Sequence, residues 1–261
     1  ALMTAGLLVK TAVFPRHFWV PAAHGSAPAP VSAALSALVV KAGFYLLARL
    51  WLDLFGALPW QAVPTLLGAL GAGAVLWGGV QALRQPRLKP MIAYSTVAQL
   101  GYLMIALPLA AAADGAMTAA VLLAASHAAA KAAMFLCAGS LLAAYGHDRI
   151  DALAGFGARL PVTATAFALA ALSLVGLPPT GGFVGKYLLV ESALRAGAWA
   201  TVAVVLAGSL LAAMFLFHAL SRAFVEAPAS SDAPPPVAGP AAPVAPQLAS
   251  LALALLSVGL A

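Results

Sequence analysis

Long apolar stretches, not alternation of apolar and polar positions, dominate the chain. Clusters of charge, proline and glycine divide it into seven runs and a partial eighth, at about 1–22, 27–49, 60–83, 89–110, 115–145, 161–194, 198–222 and 248–261. A helix that crosses a bilayer needs roughly 20 mainly apolar residues, so each run predicts one span, the last of them cut short. Two runs carry breaks. The 161–194 run is too long for one straight span and contains LVGLPPTGGFVGK, where Pro178, Pro179, Gly181 and Gly182 remove backbone donors and helix propensity. The first run is interrupted at Phe14-Pro15-Arg16-His17. The Pro/Ala-rich stretch 223–247 holds too much proline to be a span and reads as an extended loop. Gly68, Gly71 and Gly73 lie in an apolar run with no strand before them, a setting that favours close helix contact over nucleotide binding. The predicted fold class is an all-α polytopic membrane protein forming a single transmembrane domain over 1–261, with two of its seven full helices broken.

Composition narrows the picture further. Of the 261 residues 64% are hydrophobic and only 8% charged, against about 25% charged in a soluble domain, which excludes one. Thirteen Lys+Arg against seven Asp+Glu leave a formal charge of +6, a balance that belongs here to membrane loops, not to nucleic-acid binding. Alternating the loops across the bilayer puts Arg16, Arg84, Arg87, Lys89, Arg149, Arg159 and Arg222 on one side and Arg49 and Arg195 on the other. Basic short loops favour the cytoplasm, so the loops near 16–26, 84–89, 146–160 and 223–247 are predicted to be cytoplasmic, in a bacterial inner membrane. One cysteine, Cys137, and five scattered histidines without a CxxC pair build no disulfide, zinc or iron–sulfur site, so no cofactor is expected in this chain. The chain starts inside one apolar run and stops inside another, and it reads as a fragment of a longer membrane protein.

Four of the basic residues, Lys10, Lys41, Lys131 and Lys186, fall inside the apolar runs. A lysine at bilayer depth costs at least ~2.5–3.5 kcal/mol, so it normally faces a bundle interior or a water path. Snorkelling to the interface accounts for one such residue but poorly for four. Burial also brings an amine closer to the pH at which it releases its proton, the property a proton relay needs. Lys10 lies five residues before Pro15 and Lys186 just after the second break, and paired breaks of this kind point to inverted-repeat transporters. His127 and Lys131, four residues apart, share a helical face. The plainer reading of His127 is a structural histidine bonded to a neighbouring helix, and His218 is an accessory candidate. All seven acids map to loops or span ends, so any carboxylate partner of these lysines is expected on another segment or subunit. GGFVGKY fails as a phosphate loop, because Thr180 stands where its first glycine is required and Tyr187 where Ser or Thr is required.

Four stretches taken together, FPRHFWVPAAHGSAPAPVSAALSALVVKAGFYLLARL, LKPMIAYSTVAQLGYLMIAL, SHAAAKAAMFLCAGSLL and GLPPTGGFVGKYLL, resemble one large family. It comprises the antiporter-like proton-conducting membrane subunits of NADH:quinone oxidoreductase (complex I subunits L, M and N), the A and D subunits of Mrp-type sodium/proton antiporters, and membrane subunits of membrane-bound hydrogenases. The resemblance covers nearly the whole chain. It implies a fold of about fourteen helices in two inverted repeats, of which 1–50 would end the first repeat, 60–222 form the second, and 248–261 start the last helix. It also implies a proton relay through Lys10, Lys41, His127 with Lys131, and Lys186, with the glutamate partner of Lys10 on a helix absent here. Lys186 in place of a glutamate makes the chain less like M-type and more like N-, L- or D-type subunits, whereas Lys41 argues against the L-type, whose histidine would fall at Ser36. The implied activity is proton translocation in a respiratory complex, with other membrane subunits, the bilayer and protons or sodium as partners and no nucleic acid. Alternatives are an Mrp-type (D-like) or hydrogenase subunit, and a non-conducting structural subunit.

Overall fold

A computed structural model describes residues 2–55, 62–110, 112–225 and 243–261, and within these it contains helices and no strand beyond one isolated bridge between Arg87 and Arg149. In chain order the helices are α1 (Leu2–Lys10), α2 (Trp19–Ser26), α3 (Ala29–Ala34), α4 (Val40–Ala48), α5 (Ala62–Leu83), α6 (Leu88–Ala110), α7 (Ala116–Tyr145), α8 (Phe156–Arg159), α9 (Pro161–Val175), α10 (Gly181–Arg195), α11 (Trp199–Ser221) and α12 (Val244–Gly259). Among the described residues five continuous stretches are long and apolar enough to cross a membrane: Ala29–Leu54, α5, α6, α7 and α11. Two further passes are divided, as α1 with α2 and as α9 with α10.

At the first division α1 stops at Lys10, and Ala12 takes a left-handed φ of 57°. Carbonyls at the end of α1 accept from side chains as well as from backbone: Val9 from the Trp19 indole (2.8 Å) and the Ala12 N–H (3.0 Å), Leu7 from the Thr11 hydroxyl (2.7 Å) and N–H (2.8 Å). The chain then becomes helical again over Trp19–Ser26, which corrects the reading of 16–26 as a loop. Pro21 sits in the first turn of α2, where its missing N–H costs nothing, and α2 ends where Pro28 holds Ala27 extended.

The Ala29–Leu54 span contains two π turns, Leu35–Val39 and Arg49–Leu54. Arg49, read from the sequence as a loop charge, lies in the second of these and pairs with Asp53 at 2.7 Å. α5 and α6 pack through glycine: a Cβ on Gly71 would lie 2.7 Å from the Gly101 carbonyl oxygen, so only hydrogen at this position permits the approach. α7 is the central helix, packed by α3, α6, α9, α10 and α12. It ends at Gly146, whose φ of 73° lets its N–H reach the Leu142 carbonyl at 2.9 Å.

Backbone bonds from Leu88 to Asp148 (2.8 Å) and from Ile150 to Pro86 (2.9 Å) tie the α5–α6 turn to the segment after α7. Arg87 adds a 2.7 Å ion pair to buried Asp148. Gly155 and Gly157 donate in turn to the carbonyls of Arg222 and Ala223 after α11, so three connections share one edge. Most of the Pro/Ala-rich stretch, 226–242, lies outside the described residues. Helix α12 begins at Val244, four residues before the boundary at 248 read from the sequence, because Pro243 and Pro246 fall at positions where a helix can start.

Candidate functional site

Three lysines and a histidine from different helices meet inside the bundle. Lys41 comes from α4, immediately after the first π turn; His127 and Lys131 come from one face of α7; Lys186 comes from α10. Lys131 is fully enclosed and the other three are less than a tenth exposed.

Their contacts form a connected polar path. The Lys41 amine donates to the Ser36 carbonyl, and the Ser36 hydroxyl pairs with that of Thr96 at 2.9 Å. Thr96 donates to the Ile92 carbonyl at 3.1 Å, and the same oxygen accepts from the Lys131 amine at 2.8 Å. Lys131 also bonds the Ser95 hydroxyl. Helix α6 therefore bridges Ser36, which holds Lys41, to Lys131 through the Thr96 hydroxyl and the Ile92 carbonyl. Lys186 donates to the carbonyls of Leu174 and Val175, both at 2.9 Å, and to the Ser209 hydroxyl at 3.0 Å, with its amine 4.8 Å from the centre of the Tyr102 ring. The two carbonyls belong to the last turn of α9, whose interruption frees them. His127 is buried with no protein partner on either ring nitrogen and lies within electrostatic reach of Lys41, Lys131 and Lys186.

The second break is built to hold that lysine. Gly176, at φ +87°, turns the chain out of α9, Pro178 and Pro179 follow, and the Thr180 hydroxyl accepts from the Phe183 N–H at 3.2 Å to start α10. A Cβ on Gly182 would overlap the Ser173 carbonyl oxygen, so α10 begins pressed against the end of α9. Beside it the hydroxyls of Ser126, Ser173 and Ser257 bond one another at 2.6–3.2 Å, joining α7, α9 and α12.

Other residues lie elsewhere. Lys10 is exposed at the last position of α1, and Pro15 lies in the turn that follows. His218 is half exposed, 3.8 Å from Asp151, which also holds Arg222 at 2.7 Å. It belongs to a surface ion group and not to the interior path, a correction to its reading as an accessory. Lys89 is corrected in the opposite direction: counted as a loop charge, it is buried in the first turn of α6 and donates to the Ala27 carbonyl at 2.9 Å. Sequence reasoning also missed His24 and the hydroxyls of Ser36, Ser95, Thr96 and Ser209. Serines in apolar helices usually bond only their own backbone, and nothing in their spacing marks the ones that also bridge.

A profile of the family described as NADH:quinone oxidoreductase/Mrp antiporter, TM matches residues 1–212. The chain belongs to this family. It is 37% identical over 225 residues to the NADH-quinone oxidoreductase subunit N of Desulforudis audaxviator, a match covering 86% of this chain and 44% of that protein. Among solved structures of the quinone oxidoreductase/Mrp type, the Mrp complex from a Dietzia species aligns with a TM-score of 0.86 at 26% identity, covering 98% of this chain and 55% of the matched one. Respiratory complex I from Thermus thermophilus with bound aureothin aligns with a TM-score of 0.75 at 31% identity, covering 98% and 54%. The chain thus spans about half the length of the relatives it matches. The architecture of its described residues, all-helical with five continuous apolar stretches, is that of the antiporter-like subunits in these complexes.

Proposed function

We propose that the chain is part of an antiporter-like, proton-translocating membrane subunit of a complex I-type NADH:quinone oxidoreductase. The observation that carries this is the buried path from Lys41 through Ser36, Thr96 and Ile92 to Lys131, with His127 within electrostatic reach of both lysines and of Lys186. Identity to a subunit N supports the assignment to complex I. Each of these amines is bound by neutral acceptors, and every ion pair among the described residues uses arginine or His218 instead. A proton arriving at one amine disfavours protonation of the next, so charge advances in alternating steps along hydroxyls, carbonyls and water. Lys10 extends the relay toward a carboxylate partner outside this chain. On this reading residues 1–50 close one inverted repeat and 60–222 form the other. The edge carrying Arg84, Arg87, Arg149 and Arg159 faces the cytoplasm, other membrane subunits are the partners, and no cofactor binds here.

A second reading, an Mrp-type sodium/proton antiporter subunit, draws on the TM-score of 0.86 to an Mrp complex. Reconstituting the membrane complex that contains this chain in vesicles with a pH dye separates the two. Acidification driven by NADH and lost on Lys186→Ala with the complex still assembled supports the respiratory relay. Flux driven by a sodium gradient without any NADH response supports the antiporter. Unchanged flux on Lys186→Ala leaves only a structural subunit.

A further inference from the structure

The relay described above uses four titratable groups of the interior, but a fifth lies beside them. His24, on α2, is fully enclosed, its ring stacked on Phe135 of α7 with centroids 4.5 Å apart and planes 21° apart. Neither ring nitrogen has a protein partner. An imidazole held this way keeps one nitrogen free to accept a proton and the other free to donate one. Ring stacking alone would need no such nitrogens, as phenylalanine would supply it.

The surroundings of His24 form three levels. Outermost, Lys89 in the first turn of α6 donates to the carbonyl of Ala27, the residue that caps α2. Next, one turn back along α2, His24 lies against Phe135. Innermost, the Ile92 carbonyl, three residues beyond Lys89 on α6, accepts from Lys131, which lies one turn before Phe135 on α7. The charged groups that face His24 from the helices around it are Lys131 of α7, Lys41 of α4 and Lys89 of α6. The outermost level adjoins the edge where Arg87, itself half exposed, pairs with Asp148. Successive pairs on three helices thus lead from a solvent-facing edge to the enclosed Lys131, and at the middle level His24, stacked on Phe135, is able to bind and release a proton.

We infer that His24 is the proton-entry residue of the axis, carrying protons from the Lys89 edge to Lys131. The inference rests on the relay reading of Lys131. The step is a proton transfer alone. One ring nitrogen of neutral His24 takes a proton from hydronium arriving on the Lys89 side, leaving water. The other nitrogen of the resulting imidazolium gives its proton to the neutral Lys131 amine, which becomes ammonium, and the ring returns neutral with its tautomer exchanged. A ring flip resets it. Lys89 binds the end of α2 and places a positive charge at the entrance, so an incoming proton does not rest there and passes inward or back.

The test uses the membrane complex containing this chain, reconstituted in vesicles, with proton flux read by a pH dye and assembly read by gel filtration. Variants are His24→Phe, His24→Gln, His24→Ala and, as the control for the relay itself, Lys131→Ala. Positioned proton transfer contributes on the order of 10²-fold or more, so flux in His24→Phe and His24→Gln is expected to fall by about that factor in assembled complexes, although the ring or its polarity is kept. In His24→Ala, imidazole in the buffer is expected to restore flux, whereas pyrrole, a ring of the same size without a basic nitrogen, is not. Rescue by pyrrole as well as imidazole assigns His24 a packing role and overturns the inference, as does failure of all three variants to assemble. Wild-type flux in His24→Phe with flux lost in Lys131→Ala overturns the entry role and leaves the relay standing. Wild-type flux in Lys131→Ala removes the relay on which the inference rests.

Discussion

Lys10 and Lys186 stand beside the two proline breaks of the chain, and their surroundings differ completely. Lys186 is enclosed, with three acceptors around its amine, two of them carbonyls released by the end of α9. Lys10 precedes its break, at the exposed end of a helix that packs chiefly on α4. The carbonyls at that end are taken by the Trp19 indole and the Thr11 hydroxyl instead. A helix break frees carbonyls, but whether they solvate a charge depends on what folds back over them. At the second break α10 returns against α9 because Gly182 allows the contact. At the first, aromatic and hydroxyl side chains close the end before a lysine can use it.

Four measurements would break or sharpen that contrast. The largest effect is expected for Lys186→Ala, with proton flux down by about 10²-fold in an assembled complex; flux that survives would make the enclosed lysine as dispensable to transport as any surface charge. Gly182→Ala should cost about 1–3 kcal/mol, seen as a lower thermal midpoint in detergent, because its Cβ meets the Ser173 carbonyl; an unchanged midpoint would mean the α9–α10 contact is loose. Ser173→Ala should cost about 0.5–1.5 kcal/mol in the same assay, since Ser126 and Ser257 retain each other at 3.2 Å. Lys10→Ala should move this chain's stability by no more than about 0.5 kcal/mol, whatever it does to flux. A larger loss would show that its exposed amine has a structural partner.

The breaks and spans were legible because proline, glycine and long apolar runs act locally. Pro178, Pro179, Gly181 and Gly182 interrupt a helix wherever it docks, and the glycines of α5 announce close packing before a partner is known. What was hidden depends on which face of each helix turns inward. His24 sits in an alanine-rich segment that reads as a loop, and its burial follows from α2 docking against α6 and α7. Lys89 looked like one more charge of a basic turn, yet the end of α2 draws it inside. His218 misled in the other direction: an apolar sequence surrounds it, but its face of α11 turns toward Asp151 and Arg222. The π turn before Lys41 has no signature in hydrophobic periodicity at all.

The enclosed lysines are held by carbonyls and hydroxyls, not carboxylates, and this determines how far each charge is felt. An ammonium paired with a carboxylate forms a dipole, and its influence fades quickly with distance. An ammonium cradled only by neutral groups keeps its full monopole field, and protein surroundings weaken that field less than water does. The charge on each of Lys41, Lys131 and Lys186 is therefore felt at His127. Adding or removing one proton at any of them changes the potential at the others, with no helix required to move.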